Sequence, residues 1–186
     1  MLIGITGKKG AGKDTLAQPL IEQNFANIKM AGPLKDMLRT LYYTTGMDQQ
    51  TIERKIEGDL KETPCKILQG QTPRYAMQKL GDEWRNMIGE NLWTDMWRNR
   101  VARVLKEGIP VVCTDIRYKH EAQVIKDLGG VLVRVQRDGL DTSDTHISET
   151  EMDQIKVDCT ISNTGDIEDL HRFSNILLEG AVNGRV

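Results

Sequence analysis

Short apolar runs alternate with longer segments of helical periodicity along most of the chain. Apolar residues that recur every three or four positions are typical of amphipathic helices, and brief continuous apolar runs are typical of buried strands. The predicted strands are residues 1–5, 26–31, 109–114, 131–135 and 157–161. Helices are predicted from residue 16 onward and over residues 34–43, 74–88, 91–105, 119–128 and 167–178. This alternation predicts an α/β fold, in which helices flank a five-stranded parallel sheet with right-handed crossovers.

The first predicted strand leads into a glycine-rich loop, GKKGAGKDT at residues 7–15, and a helix follows. Strand, loop and helix in this order are typical of a phosphate-binding P-loop, although a glycine-rich turn before a capped helix would have a similar sequence. Glycines let backbone N–H groups turn inward around a polyphosphate, and the helix N-terminus favours the same anion. The predicted binding residues for a nucleoside triphosphate are Gly7, Lys8, Gly10, Ala11, Gly12, Lys13, Asp14 and Thr15.

One position departs from the usual P-loop pattern. Asp14 stands where most P-loops carry the Ser or Thr that binds Mg²⁺, and the hydroxyl comes one residue later, at Thr15. A carboxylate is itself a good Mg²⁺ ligand. We therefore expect Asp14 to assist the metal, either directly or through a water molecule.

A second acidic residue follows the continuous apolar strand 109–114. In open α/β sheets, ligands bind at the carboxyl ends of the strands, so Asp115 has the position of a metal-binding carboxylate close to the P-loop. Arg117 would then face the phosphate of an acceptor. An Asp–Arg ion pair in a loop is the structural alternative.

Candidate acceptor residues lie between the second and third predicted strands. In helix 74–88, Arg74, Gln78 and Arg85 fall on one stripe beside an apolar arc. Two guanidinium groups and a carboxamide suit a phosphate and a base edge, although such a stripe is also typical of a solvent-exposed helix face. Lys35 follows the second strand and is either a phosphate ligand or a solvated helix lysine.

The predicted organisation is a single domain with three parts. The core comprises residues 1–33, 106–136 and 154–186. The long helical stretch 34–105 is suited to an acceptor-binding insertion, and the polar stretch 137–153 is suited to a lid. Arg137, with Arg134 as second choice, would bring positive charge to the nucleotide. One histidine and one glutamate, His146 and Glu149, also lie in this lid and are by themselves weak evidence for base catalysis.

Composition limits the partners and the cellular compartment. A net charge of -2 offers no basic footprint for a nucleic acid polymer. Three widely separated cysteines favour reduced thiols over disulfides or a metal pair. No apolar run is long enough to span a membrane, and no basic segment precedes the first apolar stretch. We therefore predict a cytoplasmic enzyme without a membrane partner, and a homodimer is compatible with the sequence.

Five motifs together resemble the deoxynucleoside monophosphate kinases encoded by tailed bacteriophages. They are GKKGAGKDT at 7–15, AGPLKDML at 31–38, RYAMQKLGDEWRNMIGENLW at 74–93, DIRYKHEA at 115–122 and HISE at 146–149. The motifs occur in the family's order over most of the chain. Their combination is far more specific than the P-loop alone.

The resemblance implies the fold of adenylate kinase and transfer of the γ-phosphoryl group of ATP, with Mg²⁺, to a deoxynucleoside monophosphate. For a phage-encoded enzyme this reaction would serve deoxynucleotide biosynthesis in the host cytoplasm. The resemblance implies that Lys13 and Thr15 hold the ATP phosphates and that Asp115 and Arg117 lie at the transfer site. With Arg137 added from the lid, the predicted catalytic residues are Lys13, Asp115, Arg117 and Arg137, and the metal ligands predicted from position are Asp14 and Asp115. The predicted acceptor-binding residues are Lys35, Arg74, Gln78, Arg85, Arg117, His146 and Glu149, of which Lys35 rests on its position after the second strand.

Two alternatives share the P-loop. The first is another small-molecule kinase, acting on phosphomevalonate or dephospho-coenzyme A, which would differ in its acceptor. The second is a nucleotide-gated binding module of the GTPase type. Such a module reads guanine with an Asn-Lys-x-Asp run, which the sequence lacks.

Overall fold

The computed structural model describes residues 1–140 and 151–182. These residues form a five-stranded sheet in the order β2-β3-β1-β4-β5, and every neighbouring pair of strands is parallel. The strands are β1 Leu2–Thr6, β2 Ala26–Asn27, β3 Val111–Ile116, β4 Val131–Gln136 and β5 Cys159–Ser162. The predicted fold class and the five predicted strands are therefore confirmed.

Seven α-helices are present in the described residues. They are α1 Lys13–Glu22, α2 Gly32–Thr44, α3 Gln49–Ile56, α4 Pro73–Ile88, α5 Leu92–Lys106, α6 Lys119–Asp127 and α7 Ile167–Val182. Short 3₁₀ turns occur at Asp59–Glu62, Lys66–Leu68 and Met152–Gln154. Local sequence explains where helices begin: Thr72, for example, caps α4 by accepting a hydrogen bond of 3.1 Å from the Tyr75 N–H.

Two departures from the predicted strand bounds, at β2 and β3, bear on the site. β2 has two residues instead of six, because the N–H of Met30 donates to the Asp115 carboxylate instead of continuing the ladder with β3. β3 extends two residues past the predicted end. Asp115 is therefore the penultimate residue of the strand and not the first residue of the following loop.

The chain divides into two compact units. One unit, called here the sheet unit, contains residues 1–30 and the described residues from 97 onward. The other, called the helical unit, contains residues 31–96. The boundary between them in the chain falls inside α5, after Met96.

The sheet unit has an apolar layer on each face of its sheet. Because successive side chains of a strand point to opposite faces, Leu2 packs in one layer while Ile3 and Ile5 pack in the other. The first layer includes Trp97 and Val101 of α5. The second is completed by apolar residues of α1 and α7, namely Leu16, Ala17, Leu20, Leu170 and Leu177. The sheet is thus covered on both faces, as expected for parallel strands.

The two tryptophans of α5, Trp93 and Trp97, have different environments. Trp97 is 1% exposed, and its Nε1–H donates to the Ile28 carbonyl at 2.8 Å. Trp93 is only partly buried. Its Nε1–H donates to the Gly81 carbonyl at 2.9 Å, and its ring stacks on Trp84 with centroids 6.1 Å apart.

The helical unit has its own small core. It consists of Leu38, Tyr42, Ile52, Ile56, Cys65 and Met77. The apolar arc predicted for α4 enters this core only at its beginning, because Met77 is buried whereas Met87 is 81% exposed and Ile88 60% exposed. Among the described residues, no helix is long and apolar enough to cross a membrane.

Candidate active site

The glycine-rich loop connects β1 to α1 at the carboxyl end of the central strand. Gly7 and Gly12 adopt positive φ angles of 144° and 103°, a region that side chains disfavour. A Cβ atom on Gly7 would collide with the Val135 carbonyl, and one on Gly12 would lie 2.7 Å from Asn163 Nδ2. Both glycines are therefore required by close neighbours as well as by their backbone conformation.

The side chain of Lys13 lies against this loop. Its Nζ donates hydrogen bonds to the carbonyls of Gly7, at 2.5 Å, and Lys8, at 2.9 Å. The loop thus holds the ammonium group beside the backbone that is predicted to bind phosphate. Lys8 itself lies 3.5 Å from the carboxylate of Asp153. Thr15 is half-buried in the first turn of α1.

The carboxylate of Asp14 is linked to two neighbouring elements. Its Oδ1 accepts a hydrogen bond of 2.7 Å from Thr114 Oγ1 and lies 3.2 Å from Lys29 Nζ. Partial burial raises the pKa of Asp14, but the hydrogen bond from Thr114 and the charges of Lys29 and Lys13 outweigh it. The net pKa of Asp14 is lowered, so the group is a carboxylate at neutral pH.

Asp115 is fixed at the same end of the sheet. Its Oδ1 accepts hydrogen bonds from the Met30 N–H at 2.7 Å and from the Cys113 thiol at 3.3 Å. Burial, reinforced by the charge of Asp115, raises the pKa of Cys113 well above its ordinary value, so the thiol remains a donor. Asp115 also adjoins Thr114, which binds Asp14. The two predicted metal ligands are therefore connected through adjacent residues of β3.

Arg117, in the turn after β3, is held by a carboxyl group of α6. Glu121 accepts hydrogen bonds from the backbone N–H groups of Arg117, at 2.8 Å, and Tyr118, at 3.1 Å. Burial raises the pKa of Glu121 to about 7, although these two hydrogen bonds oppose the shift. The backbone that carries the Arg117 side chain is therefore fixed by α6.

Two arginines, Arg134 and Arg137, lie near the end of β4, and Arg134 makes hydrogen bonds to the backbone. Its guanidinium group donates to the carbonyls of Met152, at 3.0 Å, and Ile155, at 2.6 Å. Arg137 follows the last residue of the strand and is exposed. A nucleotide contact by Arg137 stays a prediction. His146 and Glu149 lie outside the described residues.

Three of the predicted acceptor residues are paired with carboxylates within the helical unit. Lys35 is buried and donates to Glu57 at 2.8 Å, Arg74 pairs with Glu62, and Arg85 lies 3.4 Å from Asp82. Gln78 is exposed on α4. These contacts occur inside one unit, and an acceptor role for the four residues stays a prediction. For Lys35, burial with Glu57 also shows that it is not a freely solvated lysine.

Four residues of the sheet unit at the candidate site were missed by sequence reasoning: Lys29, Thr114, Glu121 and Asn163. Lys29 and Asn163 lie just beyond the carboxyl ends of β2 and β5, and Thr114 directly precedes Asp115 in β3. Applying to every strand the rule that ligands bind at the carboxyl ends would have marked the residues near strand ends as candidates, but it could not have paired them with Asp14 or the P-loop. Glu121 occupies the third position of a helix, where Glu often accepts hydrogen bonds from N-terminal amides.

The donor set of the sheet unit fits Mg²⁺ bound together with a nucleotide. No group of three or more potential metal-binding side chains occurs among the described residues. Mg²⁺ at phosphate sites is typically held by one or two carboxylates, with phosphate oxygens and water completing the octahedron. The lowered pKa of Asp14 and the short path from it to Asp115 through Thr114 suit that arrangement.

Comparisons with known proteins agree with the motifs. The model of the family described as deoxynucleotide monophosphate kinase matches residues 40–173. A protein of Acanthamoeba polyphaga mimivirus, provisionally named as such a kinase, is 32% identical over 183 residues, which covers 92% of both chains. The deoxynucleotide monophosphate kinase of Enterobacteria phage T4 is 26% identical, over 94% of this chain and 96% of the phage protein.

A solved structure supports the fold. Dephospho-CoA kinase from Campylobacter jejuni aligns with a TM-score of 0.56 over 100% of this chain and 98% of the other, at 13% identity. At that identity the likeness concerns the architecture alone. The family match and the similarity to the mimivirus protein carry the assignment, and it is the family that the motifs predicted: the chain belongs to the deoxynucleotide monophosphate kinases.

Proposed function

We propose that this chain transfers the γ-phosphoryl group of ATP to a deoxynucleoside monophosphate and releases ADP and the deoxynucleoside diphosphate. An oxygen of the acceptor phosphate attacks the γ-phosphorus, and the bond from that phosphorus to the β,γ-bridging oxygen breaks. The acceptor oxygen is already an anion, so no strong general base is needed. Catalysis then consists mainly of positioning and of stabilising negative charge.

The observation that carries this proposal is the geometry around the P-loop of a chain in this family. Lys13 lies over the loop, and Asp14 is a carboxylate held by Thr114. We assign the ATP phosphates to Gly7, Lys8, Gly10, Ala11, Gly12, Lys13, Asp14 and Thr15. Asp14 and Asp115 would hold Mg²⁺, which neutralises phosphate charge when it is bound.

The remaining roles follow from charge and position. Arg117 and Arg137 would stabilise charge on the transferring group, and His146 and Glu149 would belong to the nucleotide pocket. Lys35, Arg74, Gln78 and Arg85 would bind the acceptor within an insertion at residues 34–105. The carboxylate partners of Lys35, Arg74 and Arg85 would keep these three side chains ordered until an acceptor phosphate competes for them. Residues 137–153 would act as the lid, and the place of action would be the cytoplasm.

The decisive experiment measures ADP release from ATP and Mg²⁺ with dAMP, dGMP, dCMP and dTMP supplied separately. We expect release that depends on the acceptor, and the rates will rank the four bases. Equal slow hydrolysis with every acceptor would instead indicate a nucleotide-gated module. If folded protein that binds ATP releases no ADP with any of the four acceptors, the proposal is overturned. The next acceptors to test would then be phosphomevalonate and dephospho-coenzyme A.

A further inference from the structure

Asn163 contacts the P-loop from the far end of the chain. Its Nδ2 donates a hydrogen bond of 2.9 Å to the carbonyl of Ala11, a residue 152 positions earlier. Only the NH₂ end of the carboxamide can donate to a carbonyl, so the chemistry fixes the orientation of this side chain. The same nitrogen occupies the space that a Cβ atom on Gly12 would need. Asn163 therefore packs on the loop and bonds to it.

Asn163 is itself held in place. It directly follows β5, and its backbone N–H donates to the Gln136 carbonyl, at the last residue of β4, with a distance of 2.7 Å. The residue is half-buried. The backbone of Asn163 is thus fixed to the sheet, and its side chain connects the sheet to the P-loop.

The bond from Asn163 fixes the direction of one peptide plane. In a trans peptide the carbonyl and the following N–H point to opposite sides. Because the Ala11 carbonyl is turned toward Asn163, the N–H of Gly12 is turned away from it. The next carbonyl, that of Gly12, already accepts the N–H of Leu16 in the first turn of α1. In a P-loop, inward-turned amides are the groups that bind phosphate.

We propose that Asn163 is a positioning residue of the ATP site, which holds the Gly12 amide in its phosphate-binding direction before the nucleotide arrives. This inference rests on the proposed function for the identity of the nucleotide. Without the hydrogen bond from Asn163, the Ala11–Gly12 peptide would have to be ordered when ATP binds. The entropy lost in that ordering would lower the affinity for ATP. Affinity for the acceptor would not change.

The test compares Asn163→Ala and Asn163→Asp with the wild type. Alanine removes the donor and the packing. Aspartate keeps the shape but cannot donate, and it adds negative charge beside the triphosphate. We expect the dissociation constant for ATP, measured by calorimetry without an acceptor, to rise by about threefold to tenfold for alanine and at least as much for aspartate. Asn175→Ala, an exposed position on α7, is the matched control and should bind ATP like the wild type.

Two further measurements separate positioning from general stability. The KM for ATP should rise in both variants while the KM for the acceptor stays constant. In ¹⁵N-labelled protein, the Gly12 amide resonance should move on ATP addition in the wild type and move less in Asn163→Ala. Wild-type ATP affinity in folded Asn163→Asp would overturn the inference, as would an equal rise of both KM values. Because ATP binding needs no acceptor, the calorimetric and NMR comparisons remain decisive even if the ADP-release assay shows no turnover.

Discussion

The hydroxyl of Thr114 donates a hydrogen bond of 2.7 Å to Asp14, and this bond joins the fourth residue of β3 to the first turn of α1. The contact accounts for the unusual aspartate of the P-loop. A carboxylate in place of a hydroxyl would add charge where phosphates must bind. Thr114 and Lys29 stabilise that charge on the protein side. The residues around position 14 therefore accommodate an aspartate in place of the usual Ser or Thr.

Asp14→Asn should raise the Mg²⁺ concentration needed for half-maximal ADP formation by about tenfold, because the metal would lose a charged oxygen ligand. The measurement is a Mg²⁺ titration at fixed ATP and acceptor concentrations. Glu22→Gln removes one negative charge from the other end of α1 and serves as the control. An unchanged Mg²⁺ requirement in Asp14→Asn would exclude Asp14 from the metal site.

Lys13→Met should lower turnover on the order of a hundredfold or more, because the variant cannot stabilise charge on the transferring phosphoryl group. Steady-state ADP release checks the effect, and circular dichroism checks that the fold is retained. Lys106→Met, at the exposed end of α5, makes the same change in charge and should keep normal turnover. Near-normal turnover of Lys13→Met would remove the residue from the catalytic set.

The fold was largely predictable from local patterns. The continuous apolar run at the start of the chain predicts β1 because a central parallel strand is buried on both faces, and all five residues of β1 are buried. The length of β2 was not predictable. It depends on the Met30 N–H bonding to Asp115, a residue 85 positions away.

The candidate site, like the fold, was only partly predictable from the sequence. Lys13 and Asp115 could be found because a loop motif and a strand end are visible in consecutive residues. The contacts that orient the site could not be found in this way. Thr114 lies 100 positions from Asp14, and Asn163 lies 152 positions from Ala11, so both contacts exist only after the strands have taken their order in the sheet.

Arg85→Ala should raise the KM for the deoxynucleoside monophosphate by about tenfold or more and leave the KM for ATP unchanged, because a charged hydrogen bond to the acceptor would be lost. Initial rates measured against each substrate in turn separate the two constants. Arg54→Ala, which breaks an exposed pair with Asp59 in the same unit, is the matched control and should change neither. If Arg85→Ala behaves like the control, the arginine stripe of α4 is only a solvent-exposed face.

Glu121 should make the protein less stable as the pH rises toward neutrality. Burial raises its pKa from 4.5 to about 7, and the charge of Asp115 adds to the increase. The backbone N–H groups of Arg117 and Tyr118 and the charge of Arg117 oppose it. Between these two values the folded protein binds more protons than the unfolded chain, so the free energy of unfolding falls with increasing pH. The whole change from this group is at most about 3 kcal/mol.

Glu121→Gln should flatten that dependence, because the amide stays neutral at every pH while its oxygen can still accept the hydrogen bonds from Arg117 and Tyr118. Urea unfolding at several pH values between 5 and 8, without nucleotide, measures the slope for each variant. Glu90→Gln, at an exposed position, should follow the wild type. Parallel slopes for wild type and Glu121→Gln would mean that Glu121 titrates normally, and its carboxylate would then act at Arg117 as a charged acceptor throughout this range.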